Sequence, residues 1–232
     1  MTMIFRQLFD HTSSTYTYIL AERKGGEALI IDPVYENTEQ YVQLLKELGV
    51  QLLMAVDTHI HADHVTALGS LQEHTDCITA MGEQTGSECV NVRFTEGEKL
   101  CVDNLHLDIL YTPGHTSDSY SFLLPDRIFT GDTLLIRGTG RTDFQNGDPG
   151  DQYDSLFEKI LTLPEETFVY PAHDYNGMTV STIGEEKQFN PRLQVKGRQA
   201  YIDQMNALVL DDPKLMDIAV PANRSCGVKN AA

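Results

Sequence analysis

The sequence has no apolar run long enough to cross a bilayer, so no membrane-spanning helix is expected. Its start lacks the basic and apolar regions of a secretory signal. Met1-Thr2-Met3-Ile4-Phe5-Arg6 leads straight into strand-like sequence. No Pro-, Ser- or Gly-rich linker divides the 232 residues, which predicts a single domain over 1–232. Basic residues are scarce. Lys and Arg total 17 against 34 Asp and Glu, a net charge of −17. That balance makes nucleic acid and anionic membrane surfaces poor partners and suits a well-solvated surface. Arg137, Arg141 and Arg192 nevertheless fall near the motif loops described below and could line a local basic pocket. No C-x-x-C pair occurs. Cys77, Cys89, Cys101 and Cys226 therefore read as free thiols, which points to a reducing compartment and to the cytoplasm. Cys226 reads as a buried structural thiol.

Against these absences stands a dense run of metal-ligand types. His59, His61, Asp63 and His64 lie in Thr-His-Ile-His-Ala-Asp-His, directly after the apolar Leu52-Leu53-Met54-Ala55-Val56. Alternate residues of an extended segment point the same way, so His59 and His61 can face one ion. Core packing does not require H-x-H-x-D-H spacing. Further ligand types follow other short β-rich runs: His115 in Pro-Gly-His, Asp132 in Thr-Gly-Asp and His173 in Pro-Ala-His. Each sits beside Gly or Pro, as expected when several strand ends present ligands from loops.

Hydrophobic patterning predicts strands over 4–9, 15–21, 28–31, 52–56, 78–81, 90–94, 105–111, 120–124, 128–130 and 167–170. Helices are expected over about 38–48, 65–72, 153–163 and 199–210, with a hairpin turn at Lys24-Gly25-Gly26-Glu27. Each half carries several strands and then a helix. The pattern suits an α/β chain built as an αββα sandwich, two mixed sheets flanked by helices.

The ordered set H-x-H-x-D-H, Pro113-Gly114-His115, Gly131-Asp132 and His173 resembles the metallo-β-lactamase fold. The stretches Gly138-Thr139-Gly140-Arg141-Thr142-Asp143, Tyr170-Pro171-Ala172-His173-Asp174-Tyr175, Asn190-Pro191-Arg192 and Val220-Pro221-Ala222-Asn223 narrow that resemblance to the persulfide dioxygenase family. The resemblance implies oxidation of glutathione persulfide with O2 to sulfite and glutathione. It also implies one Fe(II) per chain held by His59, His115 and Asp132. Two imidazoles and a carboxylate on one face of iron leave positions for O2 and a sulfur donor. His61, Asp63, His64 and His173 would complete a second metal site in dinuclear relatives, and here they are expected to orient the ligands. Arg141 and Arg192 are implied to bind the carboxylates of the substrate, with Tyr175 bringing a hydroxyl close to the metal. A homodimer is a further implication, and no fused rhodanese domain is expected.

The rival is glyoxalase II, a dinuclear hydroxyacylglutathione hydrolase with a similar ligand set. Its longer helical C-terminal domain and different loop after the Gly-Asp count against it. The acidic charge disfavours a nuclease.

Overall fold

The computed structural model describes residues 3–210 and 215–227. Two compact units divide the chain. One comprises residues up to Phe94, Lys99–His106 and the segment from Asp212; the other comprises Thr95–Glu98 and Leu107–Asp211.

The first unit is built on β1 (Ile4–Asp10), β2 (Thr15–Ala21), β3 (Glu27–Ile31), β4 (Gln51–Val56), β5 (Ile78–Gly82) and β6 (Val92–Phe94), hydrogen-bonded in that order. β1 to β3 form an antiparallel meander, and β3 to β6 run parallel. The β-branched and aromatic run of β2 is buried along its whole length. Helix α1 (Thr38–Leu48) links parallel β3 and β4 and buries Tyr41 and Leu45 against Ile19, Ile30 and Leu52. Helix α2 (Leu68–Thr75) joins the same core through Leu68 and Leu71.

The second sheet has the order β12-β11-β10-β9-β8-β7, with β7 (Lys99–Val102), β8 (Leu105–Tyr111), β9 (Tyr120–Leu124), β10 (Arg127–Gly131), β11 (Phe168–Pro171) and β12 (Ser181–Thr182). β10 and β11 are parallel; their neighbours β9 and β12 are antiparallel to them. Helix α3 (Pro149–Asp154) runs on through one wide and one tight turn to Thr162. Helices α4 (Ile183–Phe189) and α5 (Arg198–Asn206) complete the second unit, whose core gathers Ile128, Leu156, Ile160, Val169, Ile183 and Tyr201. Helix α6 (Met216–Asn223) belongs to the first unit.

The expected strands and α1 are present, with ends moved by a residue or two. Three differences have local causes. The helix expected from Val65 begins at Leu68, because the backbone before it is engaged elsewhere. Thr66 bridges to Val34 and donates its N–H to Asn223, while Ala67 donates to Pro33. The helix expected at Tyr153 starts at Pro149, because Asp148 accepts from the N–H groups of Gly150 and Asp151. β7, β12, α4 and α6 escape the pattern reading, although Thr182 before α4 caps the Glu185 N–H in a Thr-x-x-Glu arrangement.

The reading of four free thiols is corrected. Cys89 and Cys226 form a disulfide, and only Cys77 and Cys101 are free. The partners are 137 residues apart, so no local spacing could announce the pair. The thiol argument for a reducing compartment falls with it. Among the described residues no helix is long and apolar enough to cross a membrane.

Candidate metal centre

Metal-ligand side chains gather in each unit. In the first, β4 runs into Asp57-Thr58-His59, and the end of β3 supplies Asp32 beside it. Asp32 accepts from the Thr58 backbone N–H at 2.7 Å, from the Thr58 hydroxyl at 3.0 Å and from His61 Nε2 at 3.1 Å. Because the Thr58 hydroxyl spends its proton on Asp32, its oxygen must accept from His59 Nδ1, 3.0 Å away. This fixes the His59 tautomer with its lone pair on Nε2, the form that a metal requires. His61 is set the other way round: Nε2 faces Asp32, which leaves Nδ1 as the nitrogen that would meet a metal once its proton is displaced. His64 directs Nδ1 to Asp63 at 2.9 Å. Ligand atoms of His61, Asp63 and His64 lie within 4.8 Å of one another.

In the second unit, parallel pairing of Gly131 with Pro171 brings the two following loops alongside each other. His173 Nδ1 donates to one oxygen of Asp132 at 2.7 Å, and His115 Nε2 stands 3.5 Å from the other. His115 Nδ1 donates to the Arg141 carbonyl at 2.7 Å, so this imidazole also carries its lone pair on Nε2. Gly114 has φ +137°, and a Cβ there would lie 2.3 Å from the Cα of Gln152 at the start of α3. Only glycine lets the Pro-Gly-His loop take this backbone form so close to the helix.

His59 and His115 thus each have a defined tautomer and Asp132 an oriented carboxylate, which suits all three to hold a metal ion. Asp32 went unnoticed in the sequence, where it carries no local motif; Thr58 and Gly140 stand inside quoted motifs but were given no role there. Tyr175 is exposed and its ring is parallel to that of His173 at 6.2 Å. Of the three arginines expected near the loops, two are tied to carboxylates. Arg137 pairs with Glu185 and Glu186. Arg141 makes a two-pronged bond to Asp143 at 2.7 and 2.8 Å and lies over Phe144. Arg192 differs: its guanidinium donates to the backbone and hydroxyl oxygens of Thr139, and among the described residues no carboxylate pairs with it. Burial holds its pKa below the usual arginine value, with Tyr201 opposing the shift.

Two buried groups take up protons on folding in the metal-free protein. Burial lowers the His61 pKa, but the carboxylates of Asp32, Asp63 and Asp57 outweigh it and raise the value from the usual 6.5 to about 9. Burial also raises Asp57, with His61 opposing. In both cases the folded state binds more protons than the unfolded state above the unfolded pKa. Metal-free protein therefore loses stability as pH rises from about 6.5 toward 9. Urea melts at pH 6 and pH 9 check this, and equal or greater stability at pH 9 contradicts it.

The Metallo-beta-lactamase superfamily model matches residues 12–173. Persulfide dioxygenase ETHE1 of Mus musculus is 45% identical over 230 residues, covering 98% of this chain and 90% of the relative. The chain belongs to the persulfide dioxygenase family of the metallo-β-lactamase superfamily. The Homo sapiens persulfide dioxygenase is 44% identical with the same coverage, and both mammalian relatives are named mitochondrial. The crystal structure of ETHE1 from Myxococcus xanthus superposes with a TM-score of 0.95 at 51% identity, covering 97% of this chain and 100% of that one. Two mixed sheets flanked by helices are accordingly those of the metallo-β-lactamase fold, as the motifs implied. A metal cofactor follows from the fold and the ligand clusters.

Proposed function

We propose that this persulfide dioxygenase family member oxidises glutathione persulfide with O2 and water to sulfite and glutathione, the whole chain serving as one catalytic domain. One Fe(II) is held by His59, His115 and Asp132. The observation that carries the reading is the near-full-length identity to named persulfide dioxygenases. The donor set fits: two imidazoles with lone pairs on Nε2 and one carboxylate already oriented by His173. Bound there, iron supplies adjacent open positions and the redox chemistry for joining O2 to sulfur.

The chain's own residues bind and orient. His173 donates to Asp132 and so directs the carboxylate's other oxygen toward His115. Thr58 and the Arg141 carbonyl keep His59 and His115 from rotating or changing tautomer. Arg192, half-buried and with no carboxylate partner among the described residues, binds a carboxylate of glutathione. Arg141 acts beside it, its charge already partly met by Asp143. Tyr175 brings its hydroxyl to the substrate. His61, Asp63 and His64 support the ligands, and the reading takes the chain to be a cytoplasmic homodimer.

Metal analysis of protein prepared without added metal, joined to O2 uptake with glutathione persulfide, tests the reading. One iron per chain and persulfide-dependent uptake are expected. Two zinc ions, thioester hydrolysis and no uptake overturn it in favour of a glyoxalase II-type hydrolase. Arg192→Ala should raise KM for the persulfide about 10- to 100-fold while kcat stays near wild type, the loss of one charged hydrogen bond made throughout the reaction. An unchanged KM removes Arg192 from the substrate site.

A further inference from the structure

Asn223, at the end of α6, is fully buried and lies within the turn that carries the histidine run. Its Nδ2 donates to the carbonyl of His61 at 2.9 Å and to that of His64 at 2.8 Å. Its Oδ1 accepts the Thr66 backbone N–H at 2.8 Å. One amide side chain thus satisfies three backbone groups of a turn 157 to 162 residues earlier in the sequence. His61 and His64 are themselves buried, so their backbone carbonyls are out of reach of water as well. Buried, those groups need partners, and the Asn223 amide supplies them.

The segment carrying Asn223 is itself fastened. The Cys89–Cys226 disulfide joins it to the chain beyond β5. Gly69 donates to the Cys226 carbonyl at 2.9 Å, and the Ser87 hydroxyl donates to the Arg224 carbonyl at 3.1 Å. The Asn223 amide is therefore held from behind by covalent and polar contacts. Neither the side chain nor the disulfide touches a ligand atom.

We propose that Asn223 is a positioning residue for the His61–His64 turn, holding His61 against Asp32 and so, through Asp32 and Thr58, the His59 ligand, from a segment that the Cys89–Cys226 disulfide clamps in place. The inference rests on the histidine run being ligand-bearing, and needs neither iron nor a persulfide. Asparagine is suited to the task because it offers two donors and an acceptor at one planar amide. Aspartate has nearly the same shape and keeps the acceptor for Thr66, but it sets a carboxylate oxygen against two carbonyls.

The test uses Asn223→Asp and Asn223→Ala in the full chain, with Co(II) alone as the probe. Both variants are expected to bind Co(II) about 10- to 100-fold more weakly and to shift its visible absorption bands, the size of effect seen when an outer-sphere partner of a ligand is lost. Hydrogen exchange on the metal-free protein is the second readout. The amides of residues 60–66 should exchange faster in the variants, ahead of the rest of the first unit. Wild-type Co(II) affinity and spectrum overturn the proposal. So does an exchange increase spread evenly over the protein, which marks general destabilisation. Cys89→Ser leaves every Asn223 bond in place and supplies a milder arm if the Asn223 variants do not fold. It should accelerate exchange at residues 60–66 in the same direction, and no change there overturns the clamp. Failure of O2 uptake with glutathione persulfide bears on the proposed reaction and leaves these readouts unaffected.

Discussion

His115→Ala loses iron and activity together. Its imidazole is held between the Arg141 carbonyl on Nδ1 and Asp132 facing Nε2, so the ring has one orientation and one tautomer. On the proposed assignment, removing it deletes one of three protein ligands and would leave one imidazole and one carboxylate to hold the metal. Substitutions that only disturb the support of a ligand cost about 10- to 100-fold in metal affinity or activity. Loss of the ligand itself should exceed that range. Metal content after desalting and persulfide-dependent O2 uptake measure the result, and retention of a full complement of iron contradicts the ligand role. The thermal midpoint of the metal-free variant should stay close to that of metal-free wild type, because His115 is partly exposed and contributes little to either core.

Gly140→Ala is expected to do nearly as much damage with a single methyl group. A Cβ at Gly140 would sit 2.2 Å from the Asp132 carbonyl oxygen and 2.7 Å from His115 Nδ1. The first contact is backbone, and the second is the nitrogen that sets the His115 tautomer, so neither can yield cheaply. Gly140 also donates its N–H to the Asp132 carbonyl at 2.8 Å and accepts from Gln152 at 3.1 Å, which pins its own position. The methyl group must therefore displace the loops bearing His115 and Asp132. Overpacking of this kind costs about 1–3 kcal/mol of stability, and the misplaced ligands should lower metal affinity by more than about 100-fold. Titration with Fe(II) against a competing chelator, beside a thermal melt, separates the two effects. A variant with wild-type affinity and turnover shows that the loops adapt and that the close approach is tolerated.

The sequence made the candidate site legible because metal-binding chemistry is local. The proposed ligands His59, His115 and Asp132, and His173 that supports them, each follow a strand with clear β patterning. Their families of motifs could be read in order along the chain. The groups that prepare them were harder to see. Asp32 is one acidic residue among 34 Asp and Glu, and only the register of β3 beside β4 brings it to Thr58 and His61. Gly140 lay within a quoted motif, but its steric role depends on how two distant loops approach it. The arginines show the converse. Arg137, Arg141 and Arg192 look alike in the sequence, and only their partners separate Arg192, which has no carboxylate partner among the described residues, from two that are already paired. The disulfide and the shortened start of α2 share one cause, the return of Asn223 and Cys226 to residues far earlier in the chain.

That return fixes an order of events during synthesis. Asn223 follows His61 by 162 residues. At about 5–20 residues per second, the ribosome makes it roughly 10–30 s later. For that interval the histidine run can be extended and even paired with the emerging first sheet, yet its turn lacks the amide that closes it. A nascent chain should therefore be a poor competitor for cellular metal until the α6 segment has been made and docked. On this reading metal selection falls to the folded protein rather than to the growing chain.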